Sequence, residues 1–214
     1  HMNDVLKQDA VLDRDALLEL LRQLVRVAQG GEAATQALVA ETLARLGCAV
    51  DRFSYAPRVL MTRQEFAAES LVDPVERVAV VGRKRGAGGG RRLLCFAHPD
   101  GEPVTGTERW RHDPFAADIA DGRVYGWGVA DDLLGVATMI GALQVLAWAD
   151  VRLAGDVLIA STPSKRRAQG IIAALDRGFH ADGGLYLHPA ESGAGLGEIK
   201  ALASGTLRFR LAVV

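Results

Sequence analysis

Three places in this chain set a metal-capable side chain where a buried element begins or ends. The apolar run Leu93, Leu94, Cys95, Phe96, Ala97 finishes in His98-Pro99-Asp100. Asp131 and Asp132 stand directly before the apolar segment LLGVATMIGALQVLAWA. A third run, Gly184-Leu185-Tyr186-Leu187, finishes in His188-Pro189. Imidazole nitrogen and carboxylate oxygen are common zinc donors, so the chemistry open to such a set is that of a metal site. A His-x-Asp pair can equally be a hydrogen-bonded structural pair, and its spacing alone does not separate the two.

Those side chains need a scaffold that brings distant strand ends together. The short continuous run at 93–97 suits a strand covered on both faces. The β-branched content of 75–83 and 157–160 suggests further strands, as does the pattern at 49–53. Open α/β sheets bind ligands at the edge where strands end, which is where His98 and His188 fall. Asp13 or Asp15 can cap a helix whose stripe is Ala16, Leu17, Leu20, Leu21, Leu24 and Val25. A second helix, 32–46, is expected to bury Ala37, Leu38, Ala40, Leu43 and Leu46 and to stop at Gly47. The segment after Asp132 reads as a buried helix with carboxylates at the positive end of its dipole. Another helix is expected at 168–177, stopped by Gly178, and a short one near MTRQEFAAES. Gly86 to Gly90 reads as a flexible hairpin joining 75–83 to 93–97; it lacks the Lys-Ser/Thr ending of a phosphate loop.

The central stretch resembles the di-zinc exopeptidase and deacylase family that includes acetylornithine deacetylase, succinyl-diaminopimelate desuccinylase, aminoacylase and carboxypeptidase G. His98 and Asp100 match its His-x-Asp; Trp110, Asp113, Pro114 and Phe115 match its Trp-x-x-Asp-Pro-Phe. Asp121, Gly122, Tyr125, Gly126 and Gly128 match the next motif, and Asp131 matches the bridging aspartate. The resemblance implies a three-layer α/β domain with a mixed, largely parallel sheet and helices on both faces. It implies one zinc ion held by His98, Asp131 and His188, with cobalt or manganese able to substitute, and Asp100 orienting His98. It also implies a cis peptide bond between Asp131 and Asp132.

The sequence departs from that family in the second half of the site. Where members carry Glu-Glu, a general base and a ligand to the second metal, this chain has Ser164 and Lys165. Loss of a general base typically costs ~10²–10⁴ in rate. An ammonium from Lys165 could stand in for the missing metal charge beside Asp131; the bland alternative is a solvated basic turn of Lys165, Arg166 and Arg167. Arg166 could bind a substrate carboxylate. The implied function is therefore that of a metallopeptidase or deacylase homologue with a degenerate site, acting on an amide of an acylated amino acid or peptide. The alternative is a non-catalytic binding or assembly domain on the same scaffold.

Composition narrows the classes further. A formal charge of −1 over 214 residues gives no basic footprint for nucleic acid. No apolar stretch reaches the ~18 residues of a membrane span without a polar interruption, so no membrane partner is expected. Two cysteines, Cys48 and Cys95, indicate neither a disulfide framework nor a cysteine zinc site. A cytoplasmic protein fits best. Past His1-Met2, which look like a cleavage scar, residues 3–203 are expected to form the α/β domain and 204–214 the first strand of a lid, whose open edge would pair with a second copy or a partner chain.

Overall fold

The computed structural model describes residues 13–57, 60, 75–163 and 168–188. Helix α1 (Arg14–Ala28) begins where the Asp13 carboxylate accepts a hydrogen bond from the Ala16 N–H at 2.9 Å, so Asp13 rather than Asp15 is the cap. Its stripe Leu20, Leu21, Leu24, Val25 and Ala28 is buried. Helix α2 (Glu32–Arg45) ends before Gly47, which takes the left-handed conformation (φ +74°). Its buried face is Thr35, Gln36, Val39, Thr42 and Leu43, so only Leu43 of the expected set is fully buried. Gln36 explains the rotation. Its amide donates to the Val78 and Ser161 carbonyls at 2.8 and 2.9 Å, drawing a polar side of the helix onto the sheet while Leu38, Ala40 and Leu46 pack at its margin.

Seven strands follow: β1 (Ala49–Tyr55), β2 (Arg77–Lys84), β3 (Leu93–Ala97), the short pair β4 (Asp118–Ala120) and β5 (Arg123–Tyr125), β6 (Val157–Ser161) and β7 (Gly183–Tyr186). Five of them form one sheet in the order β1-β2-β6-β3-β7. β2 runs antiparallel to β1 and β6, while β6, β3 and β7 are mutually parallel. Four of the five strands thus point the same way and only β2 is reversed.

Strand β6 therefore lies between β2 and β3, and the glycine run is not a hairpin. It crosses the start of β6 with its backbone against that of Ala154 and Gly155. Ala87 and Gly88 donate to the Leu153 and Ala154 carbonyls at 2.7 and 2.9 Å, and Gly86 donates to Asp156 Oδ1 at 2.9 Å. A Cβ at Gly86 or Gly90 would collide with the Gly155 backbone. Close approach, not flexibility, is what these glycines provide.

The sheet alternates cleanly. Val80, Ala97 and Ile159 face a core built with α1, α2 and helix α3 (Leu134–Trp148), while Ala79, Val81, Leu94, Leu158 and Ala160 face helix α4 (Gln169–Asp176) with Phe53 and Tyr55. The domain is a three-layer α/β structure with a mixed, largely parallel sheet and helices on both faces. Each fully buried Leu or Ile in it contributes about 1.5–3 kcal/mol. By length and apolar composition the 20 residues Val129–Trp148 could cross a membrane, yet Val136, Ala137, Met139, Ile140 and Leu143 are buried against the sheet, as in a core helix. Cys48 and Cys95 are free thiols, both pushed upward in pKa by burial. The helix expected near MTRQEFAAES and the lid strand expected at 204–214 lie outside the described residues.

Candidate metal centre

His98 ends β3 as one of the most enclosed side chains in the domain, 3 % exposed. Its Nδ1 lies 2.8 Å from the main-chain carbonyl of Asp100. A carbonyl only accepts, so Nδ1 carries the proton in that contact and Nε2 keeps its lone pair. Nε2 is 3.1 Å from Asp131 Oδ1, and the same oxygen is 3.2 Å from Nε2 of His188, just beyond β7. Donor atoms of the three residues all fall within 4.8 Å of one another. A four-coordinate zinc with bonds of roughly 2.0–2.2 Å sets neighbouring donors roughly 3.3–3.6 Å apart. Two imidazole nitrogens and a carboxylate oxygen at these separations suit one such ion, and a lone pair facing a carboxylate is repulsive unless positive charge lies between them.

The loop carrying Asp131 is shaped by the long motif. Asp121 and Gly122, both at positive φ (50° and 71°), make the two-residue turn of the β4–β5 hairpin. That Asp-Gly turn signal stands in the sequence. Asp113 accepts from the Phe115 N–H at 2.7 Å, Trp127 donates its backbone N–H to Pro114 O at 2.6 Å, and Arg22 of α1 reaches the Ala117 carbonyl at 3.1 Å. These bonds brace the hairpin on α1 and deliver Gly126 to Ala130 to the sheet edge. After Gly128 (φ +67°) the chain makes a wide turn, Val129–Leu133, with non-helical backbone at Asp131 and Asp132 and a cis bond between them.

Asp132 points the other way from Asp131. It is fully buried beneath His98, its Oδ2 accepting from the His98 N–H at 3.4 Å and its Oδ1 making no hydrogen bond. Burial pushes its carboxyl up to about 7, with the nearby His188 ring and the His98 N–H acting in the opposite direction. Gly135 makes room for this arrangement: a Cβ there would overlap both the Leu187 carbonyl and the Asp132 carboxylate.

Asp100 holds His98 by a different atom than expected. The orienting acceptor is its carbonyl, while its carboxylate oxygens lie 3.7 Å from His98 Nδ1 and 3.4 Å from the Arg77 guanidinium. Arg77 is in turn paired with Glu32 at 2.7 Å, and Glu32 accepts the Val78 N–H at 3.0 Å. Burial outweighs these partners and raises the Glu32 carboxyl. Neither Arg77 nor Glu32 stands out in the sequence, because their partners sit on other elements. Tyr186 was also passed over; it stacks on Phe96 (4.8 Å between centroids, 7° between planes) and lies 5.3 Å from the His188 ring. Burial, then the charges of Asp132, Asp131 and Asp100, push its phenol upward, which keeps it a donor. Ser164, Lys165 and Arg166 lie outside the described residues.

Comparison with known proteins agrees with this picture. Succinyl-diaminopimelate desuccinylase from Methylobacterium radiotolerans is 33% identical over 212 residues, covering 94% of this chain and 49% of its own length. N-formyl-4-amino-5-aminomethyl-2-methylpyrimidine deformylase from Bacillus subtilis is 31% identical over 91 residues, 42% of this chain and 21% of that protein. The chain thus spans about half the length, or less, of the curated relatives it matches. The fold is shared with an M20 family metallo-carboxypeptidase from Sulfolobus solfataricus at a TM-score of 0.59, with 18% identity over 82% of this chain and 37% of that one. Residues 94–202 match the model of peptidase family M20/M25/M40, and with half of its length in that match the chain belongs to this family.

Proposed function

We propose that this chain supplies the metal-binding domain of an amide hydrolase of the deacylase or peptidase type, holding one zinc ion through His98, Asp131 and His188. The observation that carries the reading is the convergence of two imidazole nitrogens on one Asp131 oxygen at 3.1 and 3.2 Å. Zinc held there would supply Lewis acidity toward a carbonyl oxygen and acidify water. The chain's own residues do the rest: the Asp100 carbonyl fixes the His98 ring so that Nε2 faces the site, and Asp132 braces the backbone of His98 from below. Tyr186, protonated beside His188, is a donor for a developing oxyanion. The relatives named for removing succinyl and formyl groups support an N-acylated amino acid or peptide as substrate. Ser164 and Lys165 at the family's Glu-Glu positions favour a slow or divergent reaction, and they are the specific reason to keep a second reading, a non-catalytic binding domain.

The test is metal content per chain by elemental mass spectrometry on protein purified without added metal. About one zinc per chain, lost in His98→Ala and in His188→Ala, is the expected result. A metal-free chain even after zinc addition would leave only the scaffold reading.

A further inference from the structure

A cavity of about 780 Å³ is lined by β5 and by the loops before and after the β4–β5 hairpin. None of the residues lining it is acidic, although acids and bases are nearly equal in number in the whole chain, 26 against 25. Its ionisable wall is Arg109, Arg111 and His112, its aromatic wall Trp110 and Tyr125. Two of the basic groups already have acidic neighbours: Glu108 lies 3.7 Å from Arg109, and Asp118 is 3.0 Å from His112 Nδ1. His112 is further fixed by stacking on Tyr125, 4.3 Å between centroids and 18° between planes. Arg111 makes no hydrogen bond or ion pair among the described residues, so it is the uncompensated cation of the cavity.

We infer that this cavity seats the carboxylate of an organic anion, with Arg111 as its main partner and Trp110 and Tyr125 covering the apolar part of the ligand. Guanidinium groups suit carboxylates because their planar donor fork matches the two oxygens. A pocket of a few hundred Å³ with aromatic walls and a few polar groups is of the size that takes a small molecule. Val129 and Ala130 also line it, and the next residue in the chain is Asp131. Resting on the proposed function for this placement, the cavity would hold the carboxylate end of an acylated amino acid whose amide reaches the metal ligands. The carboxylate-binding arginine would then be Arg111 rather than Arg166.

The experiment is calorimetric titration of the metal-stripped full chain with N-acetyl-phenylalanine and, in parallel, with its neutral amide. We expect saturable binding of the acid, with the amide weaker by at least about tenfold. Arg111→Glu, an exposed change whose folding is checked by its melting curve and zinc content, should weaken the acid to the level of the amide; Arg166→Glu should leave it unchanged. Equal binding of acid and amide, no saturable binding, or full affinity in Arg111→Glu would overturn the inference, as would loss confined to Arg166→Glu. Because the protein is stripped of metal, a failed zinc assay and a failed titration are separate results.

Discussion

The two ends of the central sheet treat their charges in opposite ways. At the end where β6 begins, Asp156 is tied down: it accepts from Arg83 Nε at 2.8 Å and from the Gly86 N–H at 2.9 Å, with Arg92 at 3.7 Å. The Gly86 bond and then Arg83 hold its carboxyl below the usual range. At the end where β3 and β7 finish, Asp132 is buried with one oxygen lacking a hydrogen bond and its carboxyl is raised to about 7. One end gains stability from its charges, and the other keeps a costly set of them gathered around a small space. That asymmetry is the physical signature of a site as opposed to a brace.

The comparison can be broken most severely at Gly135. Gly135→Ala should destabilise the domain by about 3 kcal/mol, since the new Cβ would overlap both the Leu187 carbonyl and Asp132, and should also displace His188. Denaturant unfolding together with zinc content would show both losses; loss of neither would mean that β7 shifts to accommodate the methyl group. Asp132→Asn comes next. The unfolded chain releases this proton near pH 4 while the folded metal-free protein holds it to about 7, so wild-type stability falls as pH rises through that window. The asparagine variant should therefore be more stable than wild type by about 2 kcal/mol at pH 8 and equal to it near pH 4. Zinc should narrow the gap by favouring the charged carboxylate. Asp156→Asn should show the smallest effect and the opposite sign. Its carboxylate is stabilised in the fold, so the variant should be slightly less stable at neutral pH, and the difference should close as pH falls through the carboxylate range. Chemical denaturation at several pH values would sharpen the contrast, and variants shifting in the same direction would erase it.

Much of the site was legible because strand ends announce themselves. His98 and His188 each follow a short apolar run, and Asp131 precedes an apolar helix, so their placement at one sheet edge followed from patterning joined to the family motif. The order of strands was not legible, since nothing in the spacing of 75–83 and 93–97 shows that β6, some sixty residues later, inserts between them. Gln36 escaped for a related reason. Helical periodicity ranks apolar residues, and it gives no weight to a glutamine whose amide nitrogen is met by two sheet carbonyls on other elements. The Arg77–Glu32–Asp100 chain was hidden because its three members come from three elements. The Trp-x-x-Asp-Pro-Phe segment carries the resemblance in the sequence, and what it does physically became visible only in the fold: Asp113 turns the chain at Phe115, and Ala117, two residues on, is tied to Arg22 of α1.

The pairing of β3 with β7 has a consequence for how the domain comes together. Leu93 meets Gly183 across that ladder, so the pairing closes a very long loop, and it is among the slower contacts for a chain to find. During synthesis α1, α2 and the first three strands can emerge and dock before residue 188 exists. His98 and Asp131 then wait for their third companion, and the metal centre cannot close before β7 has emerged and joined β3. Among the described residues β3 is the one strand that pairs with β7, so an ion bridging His98 and His188 would rivet β7 to the sheet. Amide hydrogens of β7 are accordingly the ones whose exchange should slow most when zinc is added.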